Sequence, residues 1–155
     1  MESENTRKVE WLRSVLERFE VPLTRYAVSI TGNTENARDV VQDTFVRLCV
    51  QQPEQLTGSI AQWLFTVCRR CALDLRRKEV RRAQLLELHA ARPEETTPLH
   101  VAEGRDSASQ LFKFVATLPR NQQEVLRLKF HNGLSYEKIS EVTGLSVSNV
   151  GFLLH

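Results

Sequence analysis

The segment "LSYEKISEVTGLSVSNVGFLLH", residues 134–155, decides how the rest of the chain is read. Ser135 suits the N-cap of a helix running to Thr143, because its hydroxyl can accept a free backbone N–H. Gly144 suits a turn with positive φ. Ser146 suits the N-cap of a second helix. Ile139, Val142, Leu145 and Val150 recur at helical spacing and would hold the two helices together. Helix, tight turn, helix is the layout of a DNA-reading module, whose second helix enters the major groove. The residues at its start are Ser146, Val147, Ser148 and Asn149. A plain αα-hairpin in a bundle has similar spacing. Residues 106–155 carry five basic and four acidic side chains, net +1. That is low for a segment meant to bind DNA unaided.

Upstream, apolar spacing is helical nearly everywhere, and the expected fold class is all-α. Val9 to Glu20 reads as a first helix. Pro22 restarts the chain, and Leu23 to Ile30 reads as a second. Gly32-Asn33 breaks it. Thr34 or Asn36 suits the cap of a third helix, ending near Val50. Residues 51–59, "QQPEQLTGS", hold a proline and a glycine and read as a loop. A long helix follows from Ile60 to about Leu88. Over residues 87–106, Glu87, Glu94, Glu95, Glu103 and Asp106 stand against Arg92 and Arg105, net −3, with two prolines and a glycine. That composition predicts a flexible linker between two small helical domains. The expected division is 1–86, a linker over 87–106, and 107–155.

The chain's 155 residues and 41% hydrophobic content suffice for two small cores. No apolar run reaches transmembrane length, and the polar start "MESENTRKVEW" has no signal-like apolar region. The expectation is a cytoplasmic protein with no membrane insertion. Three cysteines, an odd number, argue against a disulfide framework. Cys68 and Cys71 form a CxxC, which raises redox and zinc chemistry. The redox motif expects a preceding strand, and Cys49, His89 and His100 are a poor ligand set for zinc. The favoured reading is two small buried residues one turn apart, with no cofactor, no metal and no catalytic residue.

Residues 69–82, "RRCALDLRRKEVRR", carry seven basic and two acidic side chains, net +5. At about 100° per residue, Ile60, Leu64, Val67, Cys71 and Leu75 share one face. Gln62, Thr66, Arg69, Arg70, Arg76 and Arg77 crowd the opposite side. Arginines behind an apolar stripe are the electrostatic footprint of phosphate binding. In the third helix, Ala37, Val40, Val41, Thr44, Phe45 and Leu48 read as inward. Asp39, Gln42, Asp43 and Val46 lie on the other side. Acids and an amide beside an exposed valine suit a protein contact with a basic partner.

Together these stretches resemble the extracytoplasmic-function sigma factors, initiation factors of bacterial RNA polymerase. "RDVVQDTFVRL" is similar to that family's region 2.2. "IAQWLFTVCRRCALDLRRKEVRR" is similar to its regions 2.3 and 2.4, and "LPRNQQEVLRLKFHNGLSYEKISEVTGLSVSNV" to region 4. The resemblance spans about residues 10–82 and 107–155. It implies that Asp39, Gln42, Asp43 and Val46 dock on the clamp helices of core RNA polymerase. It implies −10 promoter DNA binding and melting by residues 52–59 with Gln62, Thr66, Arg69, Arg70, Arg76 and Arg77. It implies −35 binding by Ser146, Val147, Ser148 and Asn149, with region 4 touching the polymerase flap. An anti-sigma factor is a further implied partner.

Several positions depart from the family. Arg70 stands where many members have Asn, and Cys71 where an aliphatic residue is usual. Gly151, Phe152 and Leu153 replace a Lys, a Ser and an Arg, and the recognition helix reads as incomplete at His155. The expected function is a non-enzymatic promoter-recognition subunit. The alternative is a sigma-like protein that binds polymerase or a regulator without reading DNA.

Overall fold

A computed structural model of the chain describes residues 1–56, 60–87 and 107–155. Among these residues every regular element is helical. They form two compact units, on either side of residues 88–106. The expected linker lies outside the described residues, except Glu87. That residue ends a helix instead of opening a linker.

The first unit is built from α1 (Glu2–Thr31), α2 (Thr34–Cys49) and α3 (Ile60–Glu87), each packed on the other two. One helix occupies the span where two were expected, with Pro22 in its interior. An interior proline costs about 3 kcal/mol because it removes an N–H and crowds the preceding turn. Phe19 on one side of it and Leu23, Tyr26 and Ala27 on the other are all buried. Burying a large apolar side chain contributes roughly 1.5–3 kcal/mol, so packing on both sides outweighs the local break. The helix also starts at Glu2, well before Val9. Glu2 and Glu4 suit the positive end of the helix dipole, and Thr6 Oγ1 donates to the Glu2 carbonyl at 2.8 Å.

Gly32 ends α1 with φ 82°, its N–H donating to the Val28 carbonyl at 2.9 Å. The next residue, Asn33, is extended and becomes the N-cap of α2. Its Oδ1 accepts from the Asn36 N–H at 2.7 Å. The cap is therefore Asn33, not Thr34 or Asn36, because the glycine turn hands the chain directly to it.

Ala37, Val40, Val41, Thr44 and Leu48 are buried, and Phe45 is half-buried. Thr44 is satisfied within its own helix, donating to the Val40 carbonyl at 2.8 Å. On α3 the buried line is Leu64, Phe65, Cys68 and Ala72. Of the stripe expected from apolarity, only Leu64 is fully buried. Ile60, Val67, Cys71 and Leu75 are half-buried flanks. The reason is that α3 wedges against both α1 and α2, so its innermost line points between them. Tyr26 and Phe65 meet edge-to-face there, centroids 5.2 Å apart, a pairing worth about 0.5–1.5 kcal/mol beyond burial.

The second unit holds α4 (Ser107–Thr117), α5 (Arg120–Leu126), a π-turn (Arg127–His131), α6 (Tyr136–Thr143) and α7 (Val147–Leu154). Val125, Leu128, Leu134, Ile139, Val142 and Val150 are its buried residues. The π-turn closes with the Asn132 N–H on the Arg127 carbonyl at 3.3 Å. Leu134 then returns to the core, its N–H on the Leu128 carbonyl at 3.1 Å. α4 buries none of its side chains.

Candidate nucleic-acid and polymerase interfaces

The helix-turn-helix is assembled by local hydrogen bonds. Ser135 Oγ accepts from the Lys138 N–H at 3.3 Å and starts α6. Gly144, at φ 76°, ends it with its N–H on the Ser140 carbonyl at 2.9 Å. Ser140 Oγ donates to the Leu145 carbonyl at 2.6 Å, and Thr143 Oγ1 accepts from the Leu145 N–H at 3.3 Å. Ser146 Oγ then accepts from the Asn149 N–H at 3.1 Å and starts α7. Ile139, Val142 and Val150 close the angle between the helices, with Leu145 half-buried in the turn. Ser146, Val147, Ser148 and Asn149 are all exposed at the start of α7. With eight residues, α7 is about 12 Å long. The caps needed for this turn were legible in the sequence because each is a contact between near neighbours.

On α3, Arg70 and Arg77 are exposed opposite the buried line, and Gln62, Thr66, Arg69 and Arg76 are half-buried, Arg69 and Arg76 one turn beyond buried Phe65 and Ala72. Arg77 Nη1 lies 3.3 Å from Asp74 Oδ1, with both side chains 66% exposed. Such a surface pair contributes about 0–1 kcal/mol, so a phosphate can replace the carboxylate at little cost. Thr66 Oγ1 donates to the Gln62 carbonyl at 2.7 Å. Leu73, Arg76, Arg77, Val80 and Arg81 line an open depression of about 450 Å³. Arg81 belongs to the basic run but was not sorted onto this face, and Leu73 and Val80 were not singled out. Arg81 lies one helical turn beyond Arg77, and that spacing was the available signal.

The loop before α3 contains a short 3₁₀ turn, Pro53–Gln55, and is pinned by buried Leu56. Residues 57–59 of the expected base-holding loop lie outside the described residues. Gln52 shares an open depression with Met1, Glu2, Glu4, Asn5 and Lys8. The first turns of α1 thus reach this loop, a proximity that sequence spacing alone does not reveal.

On α2, Asp39, Gln42, Asp43 and Val46 are all exposed, Val46 at 61%. Cys49 and Val50 extend this face at its far end. An exposed valine beside two carboxylates and an amide is chemistry for a protein contact.

The cysteine pair has a different character. Cys68 is fully buried, and burial pushes its thiol up to about 12. Its Sγ lies 3.9 Å from the Leu23 carbonyl. Cys71 is half-buried, and burial raises it too. Redox chemistry needs a thiolate, which an electropositive and accessible site provides. Both thiols are held protonated instead, consistent with packing residues on one side of α3.

Residues 15–82 match the family described as Sigma-70 region 2, and residues 109–155 the family described as Sigma-70, region 4. The ECF RNA polymerase sigma factor SigL of Mycobacterium tuberculosis is 30% identical over 149 residues, covering 93% of this chain and 82% of its own length. The ECF RNA polymerase sigma factor EcfG of Rhodopseudomonas palustris is 31% identical over 134 residues, with 83% and 70% covered. The sigma factor RpoE of Bartonella quintana, solved in complex with the anti-sigma factor NepR, shares the fold. Its TM-score is 0.69 at 23% identity, over 94% of this chain and 89% of that one.

Proposed function

The chain belongs to the extracytoplasmic-function sigma factors of bacterial RNA polymerase, and from that membership we propose a division of work among its three surfaces. It is a transcription initiation factor. The exposed face of α2, Asp39, Gln42, Asp43 and Val46, docks on core polymerase. The carboxylates favour a basic partner surface, and Val46 supplies apolar contact.

The outer face of α3 binds the −10 element. Arg69, Arg70, Arg76 and Arg77 neutralise phosphates and release counterions. Gln62 and Thr66 add uncharged hydrogen-bonding groups nearer the loop. Residues 52–59 are assigned, on family membership, to hold a base once it leaves the stack, since a base inside a duplex cannot be enclosed. The start of α7 reads the −35 element. The two recognition surfaces lie in separately packed units, an arrangement suited to two promoter elements.

No step of this work is catalytic, and the protein acts in the cytoplasm, where the polymerase is. No helix among the described residues is long and apolar enough to cross a membrane. RpoE was solved with an anti-sigma factor. By analogy, an anti-sigma factor holds this protein inactive by covering the same surfaces.

The observation that carries the reading is the two-sidedness of α3. Leu64, Phe65, Cys68 and Ala72 anchor it in the core, while Arg70 and Arg77 face solvent on the other side. The test is transcription in vitro with core polymerase on a promoter library. Initiation from a defined subset of promoters is expected. A chain that neither binds core polymerase nor directs initiation from any promoter would overturn the reading.

A further inference from the structure

We infer that Asn36 and Glu79 are a positioning pair, whose hydrogen bond ties the overhanging end of α3 to the start of α2 and so holds Arg76 and Arg77 in place for −10 DNA. The inference rests on the outer face of α3 being the −10 binding surface. Ala72 is the last buried residue of α3, yet the helix runs on to Glu87. Residues 73–87 therefore extend about 22 Å past the core. Residues 77–87 are all exposed except half-buried Ala83. Helices owe most of their stability to packing, and this stretch has little. Its charges also work against it. Arg77 with Arg81, and Lys78 with Arg82, are like charges four residues apart, which repel along a helix face.

Of the two acids in residues 69–82, Asp74 pairs with Arg77 on the outer side, whereas Glu79 faces inward. Glu79 lies seven residues after buried Ala72 and fourteen after buried Phe65, so it continues the buried line on the side opposite Arg77. Asn36 Nδ2 donates to Glu79 Oε1, across 43 positions of sequence. The main chain of Asn36 is itself fixed, because its N–H donates to the Asn33 side chain at 2.7 Å. Asn33 in turn follows the Gly32 turn that ends α1. The overhang is thus tied to the corner where α1 hands the chain to α2. Bonded there, the Glu79 carboxylate is turned away from the phosphates that Arg77 meets, so this negative charge does not oppose DNA.

The full chain is tested by hydrogen exchange and then, assembled with core polymerase, by binding to a −10 promoter fragment. In Asn36→Ala and in Glu79→Ala, the amides of residues 80–87 should exchange about fivefold faster, the effect of one lost hydrogen bond on local opening. Those of residues 64–72 should be unchanged. Glu79→Gln keeps an accepting oxygen and should keep the slow exchange. Asn36→Ala leaves every charge in place. It should lower DNA affinity about threefold, because a smaller fraction of molecules holds α3 ready, while the slope of affinity against salt stays the same. Unchanged exchange in Asn36→Ala would overturn the inference. Faster exchange with undiminished affinity would do so too, since the bond would then be structural alone. A flatter salt slope in Asn36→Ala would equally overturn it, because phosphate contacts themselves would be lost. If Arg70→Ala with Arg77→Ala leaves DNA affinity intact, the −10 assignment of α3 falls, and the inference with it.

Discussion

Replacing Arg70 and Arg77 together with alanine should weaken promoter binding in a way that depends on salt. The two residues are seven positions apart on α3, about 10 Å along its axis. Both are exposed, and Arg77 makes a weak surface pair with Asp74. Truncating them should therefore change folding stability by no more than about 0.5 kcal/mol. Each phosphate contact contributes about 0.7–0.9 to the slope of log affinity against log salt, for single and double strands respectively. Losing two contacts should flatten the slope by about 1.4–1.8. Between 50 and 200 mM salt, the deficit of the double variant should then shrink by roughly tenfold. Fluorescence anisotropy of a labelled −10 promoter fragment, titrated with the assembled holoenzyme at several salt concentrations, measures this directly. Assembly with core polymerase should be unchanged. An unaltered salt slope, or a parallel loss of assembly, would refute the assignment of this face to phosphates.

Asp39→Ala with Asp43→Ala should do the reverse. Core polymerase binding should weaken while the melting temperature and DNA contacts of the assembled enzyme stay the same, as competition for core polymerase would report. Gly151→Ala should stabilise the second unit by up to about 1 kcal/mol, since alanine loses less freedom in a helix. The added Cβ would meet Tyr136 at an ordinary 3.7 Å, and thermal unfolding showing a loss would contradict this packing. Cys68 should resist alkylation in the native protein at pH 8 while exposed Cys49 reacts. Its thiol is raised from 9.0 to about 12 on folding. Its contribution to stability is therefore full below pH 9 and is lost as pH rises from 9 toward 12. Alkaline unfolding of wild type and Cys68→Ala should diverge in that window, and equal pH profiles would count against the buried thiol.

Much of the candidate site was legible because helical period and charge are properties of the chain itself. On α3, Arg70 and Arg77 fall opposite the buried line, while Arg69 and Arg76 flank it and are half-buried. Asp39, Gln42, Asp43 and Val46 are likewise exposed because Val40, Val41, Thr44 and Leu48 take the core side. Arg81, counted in the basic run, was given no face because the run was sorted only as far as Arg77. The approach of α1 to Gln52 escaped for a deeper reason, since the two are 44 or more residues apart and only the bundle brings them together.

The chain by itself determined its all-helical class, the caps of α6 and α7 and the exposed acidic face of α2. Ser135, Gly144 and Ser146 act on backbone groups within four residues of themselves, so their effect does not wait for a fold. Tertiary structure decided whether α1 is one helix or two. Pro22 opposes continuity locally, and only the burial of Phe19, Leu23 and Tyr26 against α2 and α3 outweighs it. Tertiary structure also chose the innermost line of α3. Leu64, Phe65, Cys68 and Ala72 are buried because two neighbours converge there, and the direction of convergence is not a property of any single helix.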